Sequence, residues 1–389
     1  MRDYFAVLIL SLLLSKFVVG VAVDTRIYSN PDNADIERKI DKLQQKALQN
    51  ILEGLDADEQ AIRAAGKEPN CTRKTLSRRV EFGSMREEER KAYTDAVTCL
   101  QKTKAKTPAA VAPGAIGRQT PFVHYNAKFL PWHRYFIHIY GEALRNECNY
   151  HGPIPYWDWP KYANAPQDSL LFNGDEYSMG SNGAWDPEFP IIVFPPGSGS
   201  DDIQRGIGGG CVTRGPFKDM VVTLGPITLP NPGPFGGLGY NPRCLRRDIN
   251  PDFARRWSNW TSVLETFQWQ DIGTFQDFLQ GVGTRAGGVH GGGHFTVSGD
   301  PGGDLYVSTG DPAFYLHHAQ IDRLWTIWQG LDPKNRQYKI NGTNTMNNDP
   351  PSNITQLGDF IDVGFAGGKD VTIHDILSTV RGPFCYVYV

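Results

Sequence analysis

Of the nine histidines in the chain, seven fall into two clusters: His124, His133 and His138, then His290, His294, His317 and His318. A lone histidine is ordinarily a core or surface residue, but clustered imidazoles are the raw material of a metal site. Residues three or four apart share a helix face. On that rule His133 aligns with the apolar Ile137, Tyr140 and Leu144 and points inward, whereas His138 aligns with Arg134, Glu142 and Arg145 and reads as solvated. His318 shares a face with Ile321, Asp322 and Trp325, and His317 lies at the edge of the same stripe through Ile321 and Leu324, so spacing does not choose between the two. Asp322 then reads either as the acceptor that fixes the tautomer of a metal-bound imidazole or as the partner of an arginine. His290-Gly291-Gly292-Gly293-His294 puts two imidazoles one helical turn apart. Its interior glycines each cost roughly 1 kcal/mol relative to alanine in a helix, so something else must hold the turn; a metal would, and the alternative is a flexible glycine loop. The same HGGG string occurs in esterase oxyanion loops, but those need a G-x-S-x-G elbow, and the chain has none. Imidazole suits Zn, Cu, Fe and Ni, and neither cluster adds a cysteine pair or a clear carboxylate ligand. A three-histidine zinc site is one reading. Two separate clusters favour a two-metal centre, and all-imidazole coordination suits copper.

These residues need rigid elements. Apolar spacing (Ile40, Leu43, Ala47, Ile51) predicts an amphipathic helix over 36–55 and a second over 85–100 with Ser84 as N-cap. A third runs from Pro131 to Asn149 and carries His133. Between 163 and 250 the chain is rich in Pro and Gly, which predicts long ordered loops with a few short strands at a site rim. Helical signals return at 253–260 and 275–279, and Asp311-Pro312 opens a helix that stops at Gly330.

The chain has 389 residues, 40% of them apolar, and a net charge of −3 without charge blocks. That is enough for a large core, and it points away from nucleic acid and anionic membranes toward a small, nearly neutral partner. Residues 1–22, with Arg2 before an apolar run that Lys16 interrupts, read as a secretory signal, so the protein is expected outside the cell. Six cysteines, Cys71, Cys99, Cys148, Cys211, Cys244 and Cys385, then predict disulfides in one of 15 connectivities. Sequons at Asn70, Asn259, Asn341 and Asn353 are glycosylation acceptors on the same route. No repeat or composition shift divides 23–389, which reads as a single, mainly α domain.

Longer motifs sharpen this. The stretch His124-Tyr-Asn-Ala-Lys-Phe129-Leu130-Pro131-Trp132-His133-Arg134 resembles part of the copper-A site of the tyrosinase and catechol oxidase family of type-3 dicopper proteins. Asp311-Pro312-Ala-Phe314-Tyr-Leu-His317-His318-Ala-Gln-Ile-Asp322 resembles its copper-B signature, and Pro155-Tyr156-Trp157-Asp158-Trp159 and Tyr386-Val387-Tyr388 are similar to family features. The likeness is to the short, secreted fungal type. It implies a central four-helix bundle holding two copper ions, with His124 and His133 on copper A and His290, His294 and His318 on copper B. It also implies O2-driven oxidation of phenolic small molecules: o-diphenols to o-quinones, after hydroxylation of monophenols in true tyrosinases, in the making of pigments or phenolic metabolites.

The chain departs from the pattern in three ways. A further copper-A histidine is missing, where Gly117-Arg118 abuts Gln119-Thr120 and no histidine precedes position 124. No cysteine near Val123 can form a thioether to a copper-A histidine. Gly291 follows His290 where strong monophenol hydroxylases carry asparagine, which favours catechol oxidation. The first departure also opens two other readings: a relative with an impaired copper A site and no oxidase activity, or an O2 carrier.

Overall fold

A computed structural model describes residues 33–115, 124–190, 203–282 and 287–389; the expected signal segment lies outside them. The elements in chain order are α1 (Asn33–Ala64), β1 (Ser77–Arg79), α2 (Glu87–Gln101), α3 (Phe129–Cys148), β2 (Gly183–Trp185), β3 (Gly209–Val212), β4 (Val221–Val222), β5 (Arg243–Cys244), α4 (Pro251–Trp257), α5 (Trp260–Thr266), α6 (Ile272–Gln280), α7 (Gly288–Val297), α8 (Ala313–Leu331), α9 (Pro333–Arg336) and β6 (Tyr386–Tyr388). Helices dominate and the strands pair only in twos, β2 with β3, β4 with β5, and β1 in parallel with β6. The core is a four-helix bundle: α2 packs on α3, α3 and α7 on α8, while α1 covers the outer side of α8 and α4 backs α7.

α8 is the axis of the molecule, and every residue from Ala313 to Gly330 is buried. The sequence pattern marks one inward face; the structure surrounds the helix because α1, α3 and α7 pack on different sides of it. Its polar residues are therefore partnered internally, as burial demands. Gln320 donates to Asp158 at 3.0 Å, and Arg323 reaches Gln44 and Asp158. The helix stops at Leu331, one residue past the expected Gly330, which is also a contact point. A Cβ there would sit 2.8 Å from the Ala47 carbonyl oxygen of α1, so glycine lets the two helices cross closely.

Several boundaries also shift. The first predicted helix extends to Ala64, and α2 starts at Glu87. Ser84 is not its cap: the Ser84 hydroxyl donates to Glu81, and Glu89 accepts the Arg86 backbone N–H instead. α8 begins as expected, with the Asp311 carboxylate accepting the Ala313 N–H at 2.9 Å.

The long described loops are pinned by buried charge. Arg247, fully buried, forms a two-pronged pair with Asp311 at 2.7 and 2.8 Å, which ties the loop region to the start of α8. Asp304 accepts the backbone N–H groups of Ile227 and Thr228 at 2.6 and 2.8 Å. All six cysteines pair, as Cys71–Cys385, Cys99–Cys148 and Cys211–Cys244. Cys71–Cys385 closes a separation of 314 residues beside the β1–β6 pair. Replacing both cysteines by serine is expected to lower stability by about 2–4 kcal/mol, read as a lower midpoint in guanidinium denaturation.

Candidate metal centre

The two histidine clusters meet. His124 lies just ahead of α3 and His133 in its second turn, His290 and His294 one turn apart on α7, and His317 and His318 on α8. Ring centroids of His124 and His290 are 5.5 Å apart, and those of His133 and His318 stack at 4.0 Å. The Nε2 atoms of His294 and His318 are 3.1 Å apart. Two nitrogens bound to one metal at about 2.0–2.1 Å lie roughly 3–4 Å apart, so this pair is spaced as ligands are. Both lone pairs cannot face each other without a proton or a cation between them.

Local packing explains how the sequence builds the centre. The HGGGH segment is helical, and two of its three glycines, Gly292 and Gly293, are there for close approach, not flexibility. A Cβ on Gly292 would stand 2.4 Å from Ser258 Oγ, and one on Gly293 would stand 2.2 Å from the ring of His317. The helix is thus held by packing against α4 and α8, which answers the cost of its glycines without invoking a metal. His133 has its Nδ1 2.7 Å from the Phe129 carbonyl oxygen. A proton on Nδ1 makes that bond and leaves Nε2 as the lone-pair nitrogen turned to the cluster. No reading of side-chain types alone flags this backbone acceptor. Phe129 packs edge-on against His133 and His290, and Phe314 lies 4.3 Å from His318, so the wall around the imidazoles is apolar.

Burial sets their charge. It pushes His124 down to about 4 and His294 to about 3, and carries His133, His290, His317 and His318 well below the ordinary imidazole value. Neutral imidazole is the form that binds metal. Among the described residues, His124 Nδ1, His290 Nε2 and His318 Nδ1 have no hydrogen-bond partner, whereas the ring of His317 meets the backbone of His290. Buried nitrogens without partners are costly, and a cation offsets that cost. The donor set fits copper: all imidazole, neutral and walled by aromatic rings.

Two expectations need correction. Asp322 does not accept from any histidine. Its carboxylate accepts from Arg134 at 2.5 Å and from the Tyr386 and Tyr388 hydroxyls at 2.6 and 2.7 Å, with Arg79 at 3.5 Å. A buried anion is drawn to buried cations before a neutral ring, so the arginine alternative holds. His138 is half-buried and not solvated: its ring packs edge-on to Phe384 at 5.0 Å. Its expected neighbour on a solvated face, Arg134, is fully buried. His151 bonds Asn149, and His374 stacks on Tyr338; neither is in the cluster.

Comparison with known proteins agrees with this architecture. The common central domain of tyrosinase matches residues 57–331. An N-acetyl-6-hydroxytryptophan oxidase of Emericella nidulans is 36% identical over 370 residues, covering 87% of this chain and all of its own. Tyrosinase P of Aspergillus terreus is 34% identical, over 82% of this chain and 93% of its own. A polyphenol oxidase variant from Thermothelomyces thermophila has a similar solved structure, with a TM-score of 0.84, 44% identity and coverage of 90% and 98% of the two chains.

Proposed function

The chain belongs to the tyrosinase family, and from that premise we propose that it is an exported dicopper oxidase that uses O2 to convert o-diphenols to o-quinones. The observation that carries the reading is the convergence of six histidines from two distant stretches of sequence on one aromatic-walled centre. Bound copper supplies the one-electron steps that take electrons from the phenol and pass them to O2. The residues assigned to it are His124 and His133 for copper A and His290, His294 and His318 for copper B.

The contribution of the chain is to hold these rings rigidly and neutral. Phe129 fixes His133 by its carbonyl, and Phe129 and Phe314 keep water from the rings on two sides. Gly291, beside His290, offers no polar side chain to an incoming monophenol, which favours substrates already carrying two hydroxyls. A relative named for hydroxytryptophan oxidation supports a phenolic metabolite as substrate.

Export is supported by the full pairing of the cysteines, which an oxidising route provides. Asn70, Asn341 and Asn353 are exposed and fit as glycosylation sites. Asn259 is half-buried with its amide committed to capping α5. No helix among the described residues is long and apolar enough to cross a membrane.

Oxygen uptake by purified, copper-loaded protein checks the activity: uptake with catechol, and much slower uptake with tyrosine, is expected. No uptake with catechol would overturn the reading and favour a copper-binding relative without oxidase activity, for which the shortage of copper-A histidines is the motive.

A further inference from the structure

His124 is the one histidine of the centre that stands on no helix. Its Nδ1 has no hydrogen-bond partner among the described residues, whereas His133 is fixed both by α3 and by the Phe129 carbonyl. The position of the His124 ring therefore depends on the backbone that carries it. We propose that Gln280, the last residue of α6, is the positioning residue for His124 and thereby sets the affinity for copper A. The proposal rests on the dicopper reading, in which copper A is the ion short of histidines.

Gln280 Oε1 accepts the Tyr125 N–H at 2.8 Å. That N–H shares one planar peptide unit with the His124 carbonyl, so the bond fixes the direction in which the chain leaves His124. One turn earlier on the same face of α6, Gln276 donates to the Asn126 carbonyl oxygen at 3.1 Å. Both glutamines are buried. The segment they hold would not rest there unaided: Tyr125 has a φ of 50°, in the left-handed region that a residue other than glycine keeps only where its surroundings impose it. Residues 343–347 hold the same segment from elsewhere, with the Asn347 N–H on the Tyr125 carbonyl at 3.0 Å and the Ala127 N–H on the Thr343 carbonyl at 3.2 Å. Neither of those bonds involves the peptide unit next to His124.

The same end of α6 abuts the other half of the centre. A Cβ on Gly288, the first residue of α7, would stand 2.4 Å from the Leu279 carbonyl oxygen and 2.6 Å from the Gly281 nitrogen. His290 follows two residues later. One helix end thus sets the His124 segment against the helix that carries His290 and His294, with the rings of His124 and His290 5.5 Å apart.

Packing alone does not account for a glutamine at this position. Gln280 is 1% exposed, and its Nε2 has no partner among the described residues. A buried donor left unpaired is a cost that an apolar side chain of the same length would not carry. What the amide adds is the acceptor for the Tyr125 N–H. If Gln280 only filled space between α6 and α7, an apolar residue of equal length would leave copper binding untouched.

The test is titration of copper on the purified protein against a competing chelator, which resolves the two ions, with circular dichroism to confirm folding. Gln280→Met keeps the length of the side chain and removes the acceptor; it is expected to weaken one copper by about 10–100-fold while the other keeps its wild-type affinity. Gln280→Glu restores an oxygen at the same reach and is expected to recover most of that loss. Should Gln280→Met fold poorly, Gln276→Met, which releases the Asn126 carbonyl, is expected to weaken the same ion by a smaller factor. Two coppers held as tightly in both methionine variants as in the wild type would overturn the assignment, and so would equal weakening of both ions, the mark of a general loss of packing. A wild-type protein holding fewer than two coppers would instead sink the dicopper reading itself.

Discussion

Replacing Asp322 by alanine is expected to destabilise the protein by about 3–5 kcal/mol, the usual result of stripping a buried ion cluster of one sign. The carboxylate is the common acceptor for two buried guanidiniums and two tyrosine hydroxyls. Burial alone would raise its pKa, yet Arg134 and Arg79 outweigh that and hold it below the usual carboxylate range. Arg134 also donates to the Leu377 carbonyl at 2.6 Å and to Gln329 at 3.0 Å, and its guanidinium lies 3.7 Å from the centre of the Trp325 ring. Arg79 lies 3.5 Å above Tyr386. Without Asp322 these cations face each other with no anion, at the point where α3, α8 and the terminal strand β6 meet. Asp322→Asn keeps the volume and should fall short of the alanine loss while still lowering the denaturation midpoint. A midpoint unchanged in Asp322→Ala would show that solvent reaches this cluster. Because the carboxylate touches no histidine, copper bound by any folded Asp322→Asn protein should be close to that of the wild type.

His294→Ala is expected to have the largest effect on activity. His294 is half-buried, and its Nε2 lies 3.1 Å from that of His318. With His290 and His318 it forms the compact set assigned to copper B, their ring centres 4.7–5.2 Å apart. Loss of an outer partner of a metal ligand commonly costs 10–100-fold in affinity, and loss of the ligand itself should exceed about 100-fold, taking catechol oxidation to background. Stability of the metal-free protein should change little, because the ring is not packed in the centre of the core. Copper titration against a competing chelator reads the affinity. A variant that held copper as tightly as the wild type would remove α7 from the metal site.

Much of this centre is legible in the sequence, because helical periodicity sorts residues by face whenever the neighbour is an apolar core. The inward direction of His133 follows from Ile137, Tyr140 and Leu144. The same rule misplaces Arg134, because its counter-ion is 188 residues away and a pattern within one helix contains no trace of it. His138 is misplaced with it, covered by Phe384 from the far end of the chain. The HGGGH glycines look like a weak helix in isolation and become intelligible only when the surface of α4 and the ring of His317 stand against them. Disulfide pairing is beyond the sequence for a similar reason: Cys71 and Cys385 are brought together by the β1–β6 register. The choice between His317 and His318, open on spacing alone, turns out to concern two rings that both belong to the cluster.

The central claim is that the two histidine clusters form one copper centre capable of oxidising catechols. Elemental analysis of the purified, dialysed protein produced with ample copper tests it most directly. Close to two coppers per chain, with little zinc, is the predicted result; one copper or none would contradict the dicopper account.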